Sequence, residues 1–245
     1  MSNRGYLYPR QQLKLSMFFF SRPELNAMYL RLKVATIAIL FALPVAILIA
    51  WILSRKQFWG KQLLNGIVHL PLVLPPVVIG YLLLIMMAKR GAIGQYLWEW
   101  FGFSFSFSWR GAVLASAVMA FPLMVRSIKQ AFDAIDPKLE QAARILGASP
   151  LKVFFTLNLP LSFSGIIAGA VLGFARSLGE FGATITFVSN IPNQTQTIPA
   201  ALFTFIETPD GELAAARLCA VAIVISLITL SASEWLAERQ KRYAK

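Results

Sequence analysis

A chain of 245 residues with 57% hydrophobic and only 14% charged residues cannot present an ordinary water-soluble surface, for which about 25% charged is usual. Its formal charge is +12, yet the basic residues sit at the ends of apolar runs instead of alternating with aromatics, which suits anionic headgroups and excludes a nucleic-acid-binding face. One cysteine, Cys219, excludes a disulfide framework, and with the single histidine, His69, it cannot build a protein-only zinc or haem-type site.

Residues 1–28 are polar and basic, with no continuous apolar core and no small-residue cleavage signal, and read as an N-terminal extension. A single transmembrane unit at 29–240 and a short tail at 241–245 follow. Apolar segments near 34–53, 67–88, 111–126, 165–186 and 214–236 predict an all-α integral membrane protein of about five spans. Pro71, Pro75 and Pro76 cluster in the first half of the second segment. It is either a span whose freed carbonyls find partners on neighbouring helices, or a broken helix lining a cavity.

Between the third and fourth segments the pattern changes. Residues 133–160 read D-A-I-D-P-K-L-E-Q-A-A-R-I-L-G-A-S-P-L-K-V-F-F-T-L-N-L-P, an amphipathic interruption. Asp136 with Pro137, and Ser149 with Pro150, each supply an N-cap followed by a first-turn proline. Gly147 suits a left-handed helix end, and Pro160 is expected to stop the second helix. Leu139, Ala142, Ala143 and Leu146 line one face of the first helix; Lys138, Glu140, Gln141 and Arg144 take the other, with Glu140 and Arg144 spaced as an i,i+4 pair. Leu151, Phe154 and Phe155 add apolar anchors, so the hairpin has the character of a docking element for a partner.

In the fourth segment Gly165, Gly169 and Gly173 recur every four residues, a close-packing stripe that serves either the subunit itself or a dimer seam. Arg176 and Glu180 follow at i,i+4. They form either a self-neutralising structural pair or part of a pathway lining. Ser177, Thr184 and Thr186 bring hydroxyls to the same stretch, neutral donors suited to an oxyanion that must also leave. Residues 179–212 contain no Lys or Arg and belong outside, whereas Arg239, Lys241, Arg242 and Lys245 place the C-terminus in the cytoplasm. The hairpin is then cytoplasmic, and five spans put the N-terminus outside, against the pull of its own cations Arg4, Arg10, Arg22, Arg31 and Lys33.

No hydrolytic or phosphate-cradling motif is visible, so the chain is expected to be a transport subunit with no catalytic residues, no metal site and no cofactor of its own. Gln141-Ala142-Ala143, Gly147 six positions after Gln141, and Leu159-Pro160 resemble the "EAA" loop of ABC-importer membrane subunits. The acid of that motif is displaced here: Gln141 holds its place and Glu140 precedes it. Longer runs at 69–81, 109–115, 121–126, 174–188 and 190–199 resemble the molybdate-importer permeases, and the R-x-x-G-E-F-G core is shared with sulfate permeases. The resemblance implies a type I ABC-importer transmembrane domain in the bacterial inner (plasma) membrane. Its coupling loop would meet the ATPase through Glu140, Gln141, Ala142, Ala143, Leu146, Gly147 and Pro160. It further implies a second permease copy (a homodimer), two ABC ATPase subunits carrying ATP and Mg, an external molybdate-binding protein, and surrounding membrane lipid. Molybdate or tungstate is the implied cargo. A sulfate or thiosulfate permease and an ion-coupled secondary transporter are the alternatives.

Overall fold

The computed structural model describes residues 21–209 and 211–243, the side chains of 230 and 232–243 excepted. Outside the described residues lie 1–20 of the N-terminal extension with Arg4 and Arg10, Asp210, the tail cations Arg239, Lys241 and Arg242 as side chains, and Lys245. Within them every regular element is helical.

Helix α1 (Arg22–Arg55) begins ahead of the boundary expected at 29. A capping box explains the start: Ser21 is the N-cap, and its backbone N–H donates to Glu24 Oε2 at 2.5 Å. One face of α1 is a file of small buried residues, Ala27, Ala35, Ala38, Ala42, Ala46 and Ala50, which lets its neighbour approach closely. That neighbour is α5 (Trp109–Asp133), capped by Ser108, whose Oγ accepts from the Gly111 N–H. The two helices run in the same direction. Lys33 lies over the Trp109 ring at 4.2 Å near their starts, and Ser54 donates to Asp133 Oδ1 at 2.5 Å at their ends. With 34 residues α1 is about 50 Å long, so these contacts define two ends of the molecule.

The segment expected at 67–88 is not one straight helix. It starts earlier and consists of α2 (Lys61–Val73) and α3 (Pro76–Met87), bent by 115°. Leu74 is extended (ψ 143°) because it precedes Pro75, and Pro76 opens the next helix, so the broken-helix reading is the one the structure takes. Short α4 (Gly94–Phe101) follows. The segment expected at 165–186 also divides, into α8 (Phe163–Leu178) and α9 (Gly182–Val188). Helix α10 (Ile198–Glu207) and the long α11 (Glu212–Tyr243) complete the chain; α4 and α10 had no counterpart in the sequence reading. Among the described residues three helices are long and apolar enough to cross a membrane, or up to five spans result if each bent pair is one span.

Helix α5 is the central element, with α1 on one flank and α8 on the other. The glycine stripe faces α5 within the same subunit. A Cβ on Gly165 would meet Ala131 Cβ at 2.3 Å, one on Gly169 would meet Ile128 at 3.1 Å, and one on Gly173 would meet Met124 at 2.6 Å. Large apolar side chains cover the outside instead, with Phe41 73% and Val73 81% exposed, as a lipid-facing surface requires. Gly165→Leu should therefore separate α8 from α5 and lower the thermal midpoint of the detergent-purified protein. Gly66→Ala, where an added Cβ meets nothing within 4 Å, should raise stability by up to about 1 kcal/mol. Equal midpoints for the two variants would refute this packing.

Candidate functional site

Two places gather the residues singled out by the sequence. The first is the hairpin. Helix α6 (Pro137–Ile145) is capped by Asp136, whose carboxylate accepts from the Lys138 N–H at 2.9 Å. It closes through Gly147, which has φ +86°: the Gly147 N–H donates to Arg144 O and the Ala148 N–H to Ala143 O, both at 3.0 Å. Helix α7 (Pro150–Leu161) starts on Ser149, which accepts from the Lys152 N–H at 3.3 Å. Pro160 does not stop it. The turn Phe154–Asn158 widens into a π-helix, Leu159 to Leu161 remain helical, and the chain bends by 66° only at Ser162. A π turn displaces the ladder by one residue, so the missing proline N–H is absorbed without ending the helix.

Glu140 departs from its expected place on the solvated face. It is buried, and its carboxylate pairs with Arg55 Nε at 2.5 Å and, more distantly, with Arg144 at 3.9 Å. Arg55 also donates to the Ile135 carbonyl at 3.2 Å. Helix α6 is thus tied by its one acid to the end of α1, and turns the opposite side outward. Gln141 and Ala142 are exposed, Ala143 is half-buried, and Leu146 is 87% and Leu151 69% exposed. A helix that buries its ion pair and exposes its leucines leaves an apolar surface uncovered.

The second place is the break between α8 and α9. Arg176 and Glu180 form the expected pair, Nη1 to Oε2 at 2.7 Å, while Glu180 Oε1 accepts from the Ala183 N–H at 2.7 Å and so caps α9. Arg31 of α1, fully buried, closes the other side. It donates from Nε to Leu178 O (2.8 Å) and from Nη2 to Glu180 O (2.9 Å) and to Ser177 O. One guanidinium thus donates to three carbonyls at the end of α8 and the break that follows it. Thr184 and Thr186 spend their hydroxyl protons on helix carbonyls, those of Phe181 (2.8 Å) and Gly182 (2.9 Å). Ser177 Oγ is buried without a hydrogen-bond partner.

This break meets the α2–α3 break. A Cβ on Gly182 would lie 2.9 Å from Pro76, and one on Gly80 would lie 2.5 Å from the Ala183 carbonyl, so two interrupted helices cross at backbone contact. Irregular backbone away from water persists only where protein or solvent satisfies it, and here the two breaks cover one another. The sequence reading treated Arg31 as an orienting charge and missed its role. The available signal was Glu24, Ala27, Arg31 and Ala35, spaced on the buried face of one helix.

Arg31→Gln should lower stability by roughly 2–4 kcal/mol, because buried carbonyls lose a charged donor that water cannot replace. Arg176→Gln, whose partner keeps its backbone donor and which is itself 27% exposed, should cost less. Thermal unfolding of the two variants in detergent gives the order, and a reversed order would remove Arg31 from the centre of the site.

Comparison with known proteins adds a further finding. Residues 42–242 match the family model described as binding-protein-dependent transport system inner membrane component. The molybdenum transport system permease protein ModB of Haemophilus influenzae is 62% identical over 219 residues, 89% of this chain and 96% of the relative. The protein of the same name from Escherichia coli strain K12 is 61% identical over 222 residues, 91% of this chain and 97% of the relative. Among solved structures, a chain of the bacterial ABC transporter involved in the import of the acidic polysaccharide alginate superposes with a TM-score of 0.69. It covers 98% of this chain and 91% of that one at 18% identity, a likeness of fold.

Proposed function

The chain belongs to the family of binding-protein-dependent transport system inner membrane components, and we propose that it is the permease subunit of an ATP-driven molybdate importer. The observation that carries this reading is the 62% identity with a molybdenum transport permease over nearly the whole of both chains. Tungstate, a tetrahedral dianion of the same charge, falls in the same substrate class. ATP and its magnesium belong to a separate ATPase, two copies of which dock beneath a homodimer of this chain, and an external binding protein delivers the anion. Symmetric closure of two copies is the common way to surround a path that one copy of this size leaves open.

The membrane orientation follows from the hairpin. With α6 and α7 cytoplasmic, the Ser54–Asp133 end of α1 and α5 faces the cytoplasm, and the Lys33–Trp109 end faces outward with the cation-free 179–212 stretch. The N-terminus is then outside. Arg31 does not oppose this arrangement, because its charge is consumed by the end of α8.

Coupling runs through the exposed side of α6. The ATPase takes up Leu146, Ala142 and Gln141, while Arg55 and Glu140 hold the helix to α1, so that a displacement of the hairpin moves a helix that spans the molecule. Pathway opening is assigned to the crossing of the α2–α3 and α8–α9 breaks, with Arg176 and Glu180 at its side.

Two measurements test these assignments. Proteoliposomes holding the chain, its ATPase and the binding protein should accumulate labelled molybdate only with ATP, and sulfate should compete poorly. Uptake of sulfate in preference to molybdate would overturn the substrate. Ala142→Asp should insert into the membrane normally yet lose co-purification of the ATPase, since an unpaired charge in a packed interface costs several kcal/mol. Arg110→Gln, near the start of α5 and far from the hairpin, should leave binding intact; full ATPase binding by Ala142→Asp would rule out the hairpin as the docking element.

A further inference from the structure

A cavity of about 990 Å³ lies away from the helix crossing, at the hairpin end between α1, α2 and α5. Two polar stripes line it. Gln62, Asn65 and His69 recur on one side of α2, and Arg126, Lys129 and Gln130 on one side of α5. Both helices are otherwise strongly apolar at this level, with Leu63, Ile67 and Val73 exposed on α2 and Val125 and Ile128 buried on α5. Lys61, at the first position of α2, adds a third cation.

Among the described residues the lining contains no carboxylate. Asp133, one turn beyond on α5, is engaged by Lys129 Nζ at 2.5 Å and by Ser54. Lys61 and Arg126 form no ion pair among the described residues. Cations and amides carved between membrane helices with no acidic counterpart contribute little to packing, and ionisable residues at such positions face an aqueous path. A recess of one sign also concentrates counter-ions.

We propose that this cavity is an oxyanion site at the cytoplasmic end of the pathway, with Lys61 and Arg126 as its charged contacts and Gln62, Asn65 and Gln130 as neutral donors. It rests on the orientation and substrate class given above, and adds where the dianion dwells before release. Arg126 offers two parallel N–H donors, the geometry that fits two oxygens of a tetrahedral anion. His69 contributes no donor while neutral, because its Nδ1 proton is held by the Asn65 carbonyl at 2.8 Å. The wide mouth keeps binding weak, as an exit requires.

A phospholipid phosphate has the same chemistry, and Trp59, fully exposed beside the mouth, is of the residue type enriched at headgroup level. The polar lining nevertheless continues about 12 Å up α2 from Lys61 to His69, deeper than a headgroup site needs, which favours a dissolved anion.

The test uses the full-length protein with its ATPase in nanodiscs of neutral phosphatidylcholine. Trp59 fluorescence is isolated by difference against Trp59→Phe and titrated with sodium molybdate and, in parallel, sodium sulfate. A saturable response on the order of millimolar is expected, weakened about tenfold by Arg126→Gln or Lys61→Gln and partly restored by Arg126→Lys. Arg110→Gln, at the opposite end, should leave the affinity unchanged. No saturable response to either anion, or equal affinities in the wild type and both glutamine variants, overturns the site. So does occupancy by phosphatidylglycerol that neither anion displaces, which would assign the cavity to lipid. A response to sulfate alone keeps the oxyanion site and removes molybdate as the cargo, whereas molybdate uptake without any response keeps the function and removes the site.

Discussion

The fold depends on how the backbone at one helix end is satisfied away from water. Helix α8 stops in the interior of the protein, where its last carbonyls have no solvent to turn to, and a buried unpaired amide group costs more than most side-chain contacts return. Arg31 supplies the donors from α1, and Glu180 supplies the acceptor that starts α9. The interruption can be kept only because α1 is pressed against α5 and α8 along its alanine file, which holds the guanidinium within reach. A cation usually read as a marker of membrane topology is here an internal strut.

The same economy shapes the hairpin. A short helix beneath a bundle could bury its leucines against the parent chain and leave its charges in water. Helix α6 does the reverse, turning Glu140 inward to Arg55 and leaving Leu139 and Leu146 uncovered. That inversion costs the isolated chain apolar burial. Recovering that burial requires a second surface, so in the proposed assembly stability and partner binding are linked in this element.

Local chemistry written in consecutive residues was legible without coordinates. Asp136-Pro137, Ser149-Pro150 and Gly147 specify their caps whatever surrounds them, and the structure keeps all of these turns. The glycine stripe was equally visible, though not the helix it meets. What could not be read depends on distant partners. Glu140 looks solvent-facing on a helical wheel, and only the end of α1 makes its burial favourable. Pro160 looks like a stop, and only the widened turn before it allows the helix to continue. The fourth apolar segment reads as continuous because its break is built from Glu180 and a guanidinium far earlier in the chain. Hydropathy averages over such interruptions, since the residues on either side remain apolar.

The π turn at Phe154–Asn158 also sets a rotational phase. One extra residue in a single turn swings everything after it by roughly a quarter of a revolution relative to an unbroken α-helix. Leu151 before the turn and Phe155 within it look outward, while Asn158 at its close and Ser162 beyond it are buried against the bundle. Without that offset the two groups would compete for one direction, and the second arm of the hairpin could not both leave the surface and re-enter the membrane bundle in register. Relatives that deleted a residue here would have to re-aim either the outward side chains or the whole of α8. Length in this arm is therefore under tighter control than composition, an angular constraint more than a chemical one.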